Sequence, residues 1–377
     1  MKKVLMLTFH WTNNYGGVLQ AYALQQTVVK LGYDATLIDY FNDEEMSSVF
    51  SWKKRIIHSV WNTIAMNLFG RKKRSQKTDC FRTEHMNITS NRFHTIEEII
   101  QSGLSADIYL VGSDQVWKPE LTGNPSVYLL SFAKEAARRV AYAASFGVGS
   151  LSRNFFDLYS TELRKFDAIS VREDTGVDIV ESLIGIKPQM VLDPVFLLSR
   201  EEWLEVASSK KENKEYILCY YMPTSDSSVT RRIKDLSKFY SKRLGYRIIN
   251  IGKKEFEKLK FWEDNRLDSG PSDFLALVSG AKLVITNSFH GTAFAIKMNV
   301  PFIVPINYSI PKEKRLSIRI ESLLRRIRCE SRIVDTQKSI SVEEMSMLSV
   351  MDYSQVNTDI VKLINESEEF LLNALEK

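Results

Sequence analysis

Cysteine is scarce: Cys80, Cys219 and Cys329 are the only three in 377 residues, and no two stand at CxxC spacing. That speaks against a disulfide framework and a cysteine zinc cluster, and it suits a reducing compartment. Histidine is limited to five residues, and His10, His58, His85 and His94 show no metal-ligand spacing, so no metal is expected and they are given no role. No apolar run reaches the length of a membrane-crossing helix. Met1 to Thr8 opens like a signal peptide with Lys2 and Lys3, but its apolar stretch is short and polar His10-Trp11-Thr12-Asn13-Asn14 follows, so it reads as a β-strand. The GxGxxG dinucleotide fingerprint is missing, as are a GxSxG hydrolase elbow, a short internal repeat and a low-complexity tract. A cytoplasmic location is expected.

What is present is ordinary for a globular protein, with 44% hydrophobic and 26% charged residues. A chain of 377 residues exceeds one ordinary core, so two domains are expected, at 1–206 and 207–377, joined through polar Ala207–Glu215. Lys3–Thr8, a Gly-containing loop from His10 to Gly17, a helix from Val18 to Leu31 and a strand from Ala35 to Asp39 form a β-α-β pattern. Further strands are read at Asp107–Val111, Arg139–Ser145, Ala168–Val171, Tyr216–Tyr221, Arg247–Ile251, Lys282–Thr286 and Pro301–Val304, with a helix from about Ser228 to Leu244. Such alternation predicts an α/β protein of two doubly wound parallel sheets.

Four strand-end loops carry polar or chargeable residues: Asn14, Tyr15 and Gly16; Asp114; Arg172; and His290. The carboxyl ends of parallel strands are where α/β folds bind ligands, so four such loops imply a polar cleft between the domains. Ser288 reads as an N-cap, Gly291 as a point of close backbone approach, and His290 as a proton donor or acceptor beside a bound anion. A capping turn with a structural histidine is the plainer alternative. Arg172 suits a carboxylate or phosphate, or else an ion pair with Glu173 or Asp174. Asp114 is a sugar-hydroxyl ligand or base, or ordinary turn chemistry. Trp117 is a stacking platform or, more simply, core.

The net charge of +5 is unevenly spread, with eight Lys/Arg and no acid between Ser51 and Thr78. Trp52 and Trp61 interleave with them. An amphipathic helix packed on its own domain is the favoured reading, and contact with an anionic membrane face is the other. No nucleic-acid module accompanies the charge, so no nucleic-acid partner is expected.

Thr8-Phe9-His10-Trp11 with Asn14–Leu24, Val111–Trp117, Ser170–Asp174, Val191–Pro194 and Asn287–Thr292 together resemble the polysaccharide pyruvyl transferase family, in the family's order. The resemblance implies a GT-B-like fold, two Rossmann-like domains facing a central cleft, with a C-terminal helix at about 354–375 packing toward the first domain. It implies transfer of the pyruvyl group of phosphoenolpyruvate to a sugar or lipid-linked oligosaccharide as a cyclic ketal, with no cofactor. It makes His290 and Arg172 catalytic, with Ser288, Gly291 and Thr292 on the donor side. Asn14, Tyr15, Gly16 and Asp114 fall on the acceptor side. Some members carry Arg where this chain has Ser288, so a cationic donor contact is either missing or comes from elsewhere, with Lys312, Arg315 and Arg319 as the candidates. A membrane-peripheral position would suit a lipid-linked acceptor. The alternatives are a GT-B nucleotide-sugar glycosyltransferase and a non-catalytic sugar-binding protein of the same fold.

Overall fold

β1 (Lys3–Leu7) buries Val4, Leu5, Met6 and Leu7, because a central parallel strand is covered on both faces. The structure, a computed structural model, describes residues 1–41, 70–222, 226–251, 264–312, 315 and 317–376. β2 (Asp34–Tyr40) and β3 (Ile88–Phe93) extend the sheet on one side of β1. β4 (Ile108–Val111), β5 (Arg138–Ala144), β6 (Ala168–Val171) and β7 (Gln189–Met190) extend it on the other. The order is β3-β2-β1-β4-β5-β6-β7, with all these pairings parallel, and the winding reverses between β1 and β4. A second sheet holds β8 (Tyr216–Tyr220), β9 (Arg247–Asn250), β10 (Asp264–Asn265), β11 (Leu283–Thr286), β12 (Phe302–Ile306) and β13 (Ile333–Asp335). Its order, β10-β9-β8-β11-β12-β13, is also parallel and reverses between β8 and β11. Each reversal is a topological switch point.

The two sheets centre two compact units. Of the described residues, 70–78 already belong to the second unit, and the main crossing runs from Leu198 to Ser199, upstream of the expected join at 206/207. Ser199 opens the helix Arg200–Glu205 with a reciprocal capping box to Glu202. The polar stretch expected as a linker is tied down instead, since Glu212 pairs with Arg247 and Arg266. In the helix Ser354–Glu376, residues from Val361 onward belong to the first unit. There Leu192 N donates to Ser367 Oγ (2.9 Å) and Arg138 Nε to the Ala374 carbonyl (2.6 Å), while Leu371 and Leu375 are fully buried.

Of the basic segment, residues 51–69 lie outside the described residues. The remainder starts the helix Arg71–His85, where Arg74 is buried and Lys77 pairs with Asp273 at 2.6 Å. Arg74 is therefore unavailable to a membrane surface. Among the described residues no helix is long and apolar enough to cross a membrane.

The first helix begins at Tyr15, not Val18, because Asn14 caps it by accepting from Gly16 N at 3.2 Å. Gly17 is thereby helical, and a Cβ there would lie 2.4 Å from Thr12 Cγ2 and 2.8 Å from the Phe9 carbonyl, so only glycine lets this turn seat against the end of β1. Trp117 is fully buried, donates to the Tyr128 carbonyl at 3.2 Å and packs against Phe146, which makes it core and not a sugar platform.

His10, at the end of β1, places Nε2 3.3 Å from Asp39 Oδ1, and Arg92 places Nε 3.0 Å from Asp39 Oδ2. Burial pushes the Asp39 carboxyl up, but His10 and Arg92 outweigh it and hold the group below the ordinary carboxylate range. Such a depressed carboxylate stabilises the fold above its unfolded value of about 3.9, and that contribution is lost as pH falls through the native value. Asp39→Asn should lower the melting temperature at neutral pH. The gap to wild type should close toward pH ~3 in thermal unfolding; a constant gap over that range would show that Asp39 acts through packing alone.

Candidate functional site

Each unit gathers its polar side chains at its own switch point. In the first, Thr8 Oγ1 donates to the Ser113 carbonyl (2.6 Å) and accepts from Gln20 Nε2 (2.8 Å), which ties the ends of β1 and β4 to the first helix. Ser113 Oγ donates to Asp193 Oδ2 at 2.8 Å. Arg172, beyond the end of β6, sends Nη1 to Asp193 Oδ2 (2.5 Å) and to Ser113 Oγ (3.3 Å), and its Nη2 lies 3.6 Å from Asp114 Oδ1. The structure thus joins Arg172 and Asp114, two expected site residues, through partners the sequence reading did not single out.

Arg172 hydrogen-bonds the Asp193 carboxylate, and Glu173, one of the two residues named as an ion-pair alternative, also acts on the guanidinium. Burial lowers the guanidinium pKa, but Asp193, Asp114 and Glu173 together overcome that and raise it. Glu173 is fully buried, and its Oε1 accepts from Ser145 Oγ (2.9 Å), Phe146 N (3.0 Å) and Gly147 N (3.0 Å), which fixes the loop after β5. Asp174 is the first residue of the helix Asp174–Ile184.

Asp114 has φ of 81°, in the left-handed region, and Ala143 on β5 has φ of 52°. Asp114 forms an isolated parallel bridge with Ala144, the residue after Ala143, beside the register shift in β5 between Ala141 and Ala144. Non-glycine residues in such regions cost about 1–3 kcal/mol each and collect where function needs them. Asn14 and Tyr15 sit at the start of the first helix, with Tyr15 and Gly16 buried, so of this loop Asn14 is the more accessible.

In the second unit, Asn287 bridges the switch point, with Oδ1 accepting from Met222 N (2.8 Å) and Nδ2 donating to the Met222 carbonyl (3.1 Å). Ser288 caps the helix Phe289–Lys297 by accepting from Gly291 N at 3.3 Å. Thr292 is fully buried and donates to the Ser288 carbonyl at 3.0 Å. The close approach expected at Gly291 is made by the protein itself: a Cβ would stand 2.4 Å from Thr286 Oγ1 and 2.9 Å from Tyr220 Cδ1. Ser288, Gly291 and Thr292 therefore build the turn, and His290, 4% exposed, is the titratable side chain in its first turn, where the helix dipole favours an anion. Of the cations named for the donor, the Arg319 guanidinium lies 5.7 Å from the ring of Phe289, the residue before His290. Arg315 is paired with Glu321 at 3.3 Å and stacked over Tyr308. Among the described residues no cluster of three His, Cys, Asp or Glu is placed to hold a metal.

The model of the polysaccharide pyruvyl transferase family matches residues 14–310. The chain belongs to that family. The match takes in Asn14, Asp114, Arg172, Asp193 and His290, whereas Arg315 and Arg319 fall beyond it. Among solved structures, this pyruvyl transferase family member resembles the UDP-GlcNAc 2-epimerase of Methanocaldococcus jannaschii, at 12% identity over 97% of this chain and 99% of that one, with a TM-score of 0.53. A spinosyn rhamnosyltransferase aligns over 100% of both chains at 10% identity and a TM-score of 0.47. The UDP-GlcNAc 2-epimerase of Neisseria meningitidis does so at 11% and 0.49. The fold is GT-B, which at such identities says nothing of substrate. Comparison with curated proteins finds no match.

Gly291→Ala should destabilise the protein by about 1–3 kcal/mol through overpacking against Thr286 and Tyr220. Ser288→Ala should cost about 0.5–2 kcal/mol through the lost cap. Denaturant unfolding measures both, and a neutral Gly291→Ala would mean that β8 and β11 yield at this turn.

Proposed function

We propose that this protein transfers the pyruvyl group of phosphoenolpyruvate to a sugar of a surface-polysaccharide precursor, closing a cyclic ketal. The observation that carries the reading is the His290 turn, which lies inside the family match and at the switch point of the second unit. Phosphoenolpyruvate is an anionic enol ester, and a helix N-terminus with an imidazole and a nearby guanidinium suits its phosphate and carboxylate. In this reading His290 protonates the methylene carbon or counters the phosphate, and Arg319 supplies the cation that other members place at the Ser288 position. Asn14 and Asp114 take the sugar.

Phosphate release from phosphoenolpyruvate, measured against a panel of lipid-linked and nitrophenyl sugars, tests the reading directly. Thermal shift with UDP is the comparator for a nucleotide-sugar enzyme, and stabilisation by UDP without phosphate release would replace this reading with that one. His290→Ala should cut turnover by about 10²–10⁴ with little effect on folding; full activity in that variant would remove the histidine from the chemistry. Arg172→Lys separates two roles for the arginine, because lysine lacks the planar fork that spans Asp193, Ser113 and Asp114. A rise confined to the donor KM marks a donor ligand, whereas a fall in kcat at constant donor KM marks a group that holds the carboxylates.

A further inference from the structure

We infer that Asp114 is the catalytic base that takes the proton of the acceptor hydroxyl, and that Arg172, locked by Asp193 and Ser113, is its positioning residue. The inference rests on the pyruvyl-transfer reading and adds to it a residue role and a division of labour.

Three independent features converge on this carboxylate. Its backbone is held in the left-handed region, with Asp114 O accepting from Ser145 N at 3.0 Å and Asp114 Oδ1 accepting from Gln115 N at 2.9 Å. The neighbouring bulge in β5 is clamped by Ser170, whose Oγ accepts from Ala143 N (3.1 Å) and donates to the Ala141 carbonyl (3.1 Å). The guanidinium opposite is held by the protein's own side chains, because Asp193 Oδ2 accepts from Nη1 at 2.5 Å while Asp193 Oδ1 accepts from Val195 N at 3.1 Å. A strained residue clamped from two sides keeps one geometry, and a base needs one geometry.

The acceptors of this edge suit a polyol. The carboxylates of Asp193, Asp114 and Glu173 all act on the Arg172 guanidinium, and Asp114 offers a hydrogen-bond acceptor to a sugar hydroxyl. The side chain of Asp114 is 12% exposed against 2% for Arg172 and 0% for Asp193, so of the three it is the one a sugar can reach.

The step balances without an oxidant or reductant. The acceptor O–H bond breaks, its proton passes to Asp114, and the oxygen lone pair forms a bond to C2 of the enol ester. The methylene carbon takes a proton and becomes methyl. The C2–O bond to phosphate then breaks with its electron pair leaving on phosphate, and the second hydroxyl closes the ketal as its proton departs with hydrogen phosphate. Two protons leave the diol; one equals that gained by the methyl and one leaves with phosphate.

Asp114→Asn preserves shape and tolerates the left-handed backbone, as does Asp114→Gly, so both variants should fold. Phosphate release with a productive sugar should fall about 10²–10⁴-fold in each, with the donor KM unchanged. The acid limb of the kcat–pH profile should flatten in Asp114→Asn, and Arg172→Lys should move that limb while leaving the donor KM alone. Folded Asp114 variants that keep the wild-type acid limb and kcat within about tenfold would overturn the assignment and leave the transferase reading intact. A wild-type enzyme that releases no phosphate from phosphoenolpyruvate with any acceptor would instead remove the reading itself.

Discussion

The buried contact between Arg172 and Asp193 is the constraint on which the carboxyl edge of the first unit's sheet depends. Both side chains are almost wholly out of water, and a buried guanidinium with its partner removed would cost about 3–5 kcal/mol. Replacing the pair with apolar residues would be far cheaper, so stability alone does not explain its presence. What it does is define geometry. Asp193 reaches back from beyond β7, Ser113 from β4 and Arg172 from β6, so one network sets the relative heights of three strand ends.

The switch point of the second unit is tied together by neutral hydrogen bonds. Asn287 uses both ends of its amide to bridge β8 and β11, and Ser288 and Thr292 close the turn through neutral hydrogen bonds. Gly291 brings the helix onto Thr286 and Tyr220, which leaves His290 as the titratable group of that turn.

The fold was legible wherever burial made the pattern strong. β1, β8 and β11 read as strands because both faces are covered and the residues are continuously apolar. β3, β7, β10 and β13 did not, since these are short or partly exposed outer strands with no apolar run. Gly16-Gly17 looks like a loop and predicts a helix start at Val18; Asn14 capping and the tight seat of Gly17 override that local preference. Trp117 could be weighed only as two alternatives, because a tryptophan's fate is decided by neighbours such as Tyr128 and Phe146 that are distant or ambiguous in the sequence.

By itself the sequence determined two parallel α/β sheets and which loops lie at their carboxyl ends, because hydrophobic periodicity and strand-to-helix turns are local properties. It also determined the family, since the motif blocks are local strings in a set order. Only the tertiary structure decided what the polar residues in those loops do. Arg172 and Asp193 are separated by most of a β-α-β unit, Ser113 and Asp114 lie further off, and the left-handed backbone of Asp114 sits beside the register shift in β5. Side chains that meet through strand order and not through chain neighbourhood leave no local signature, and their partners, protonation and strain are properties of the folded sheet.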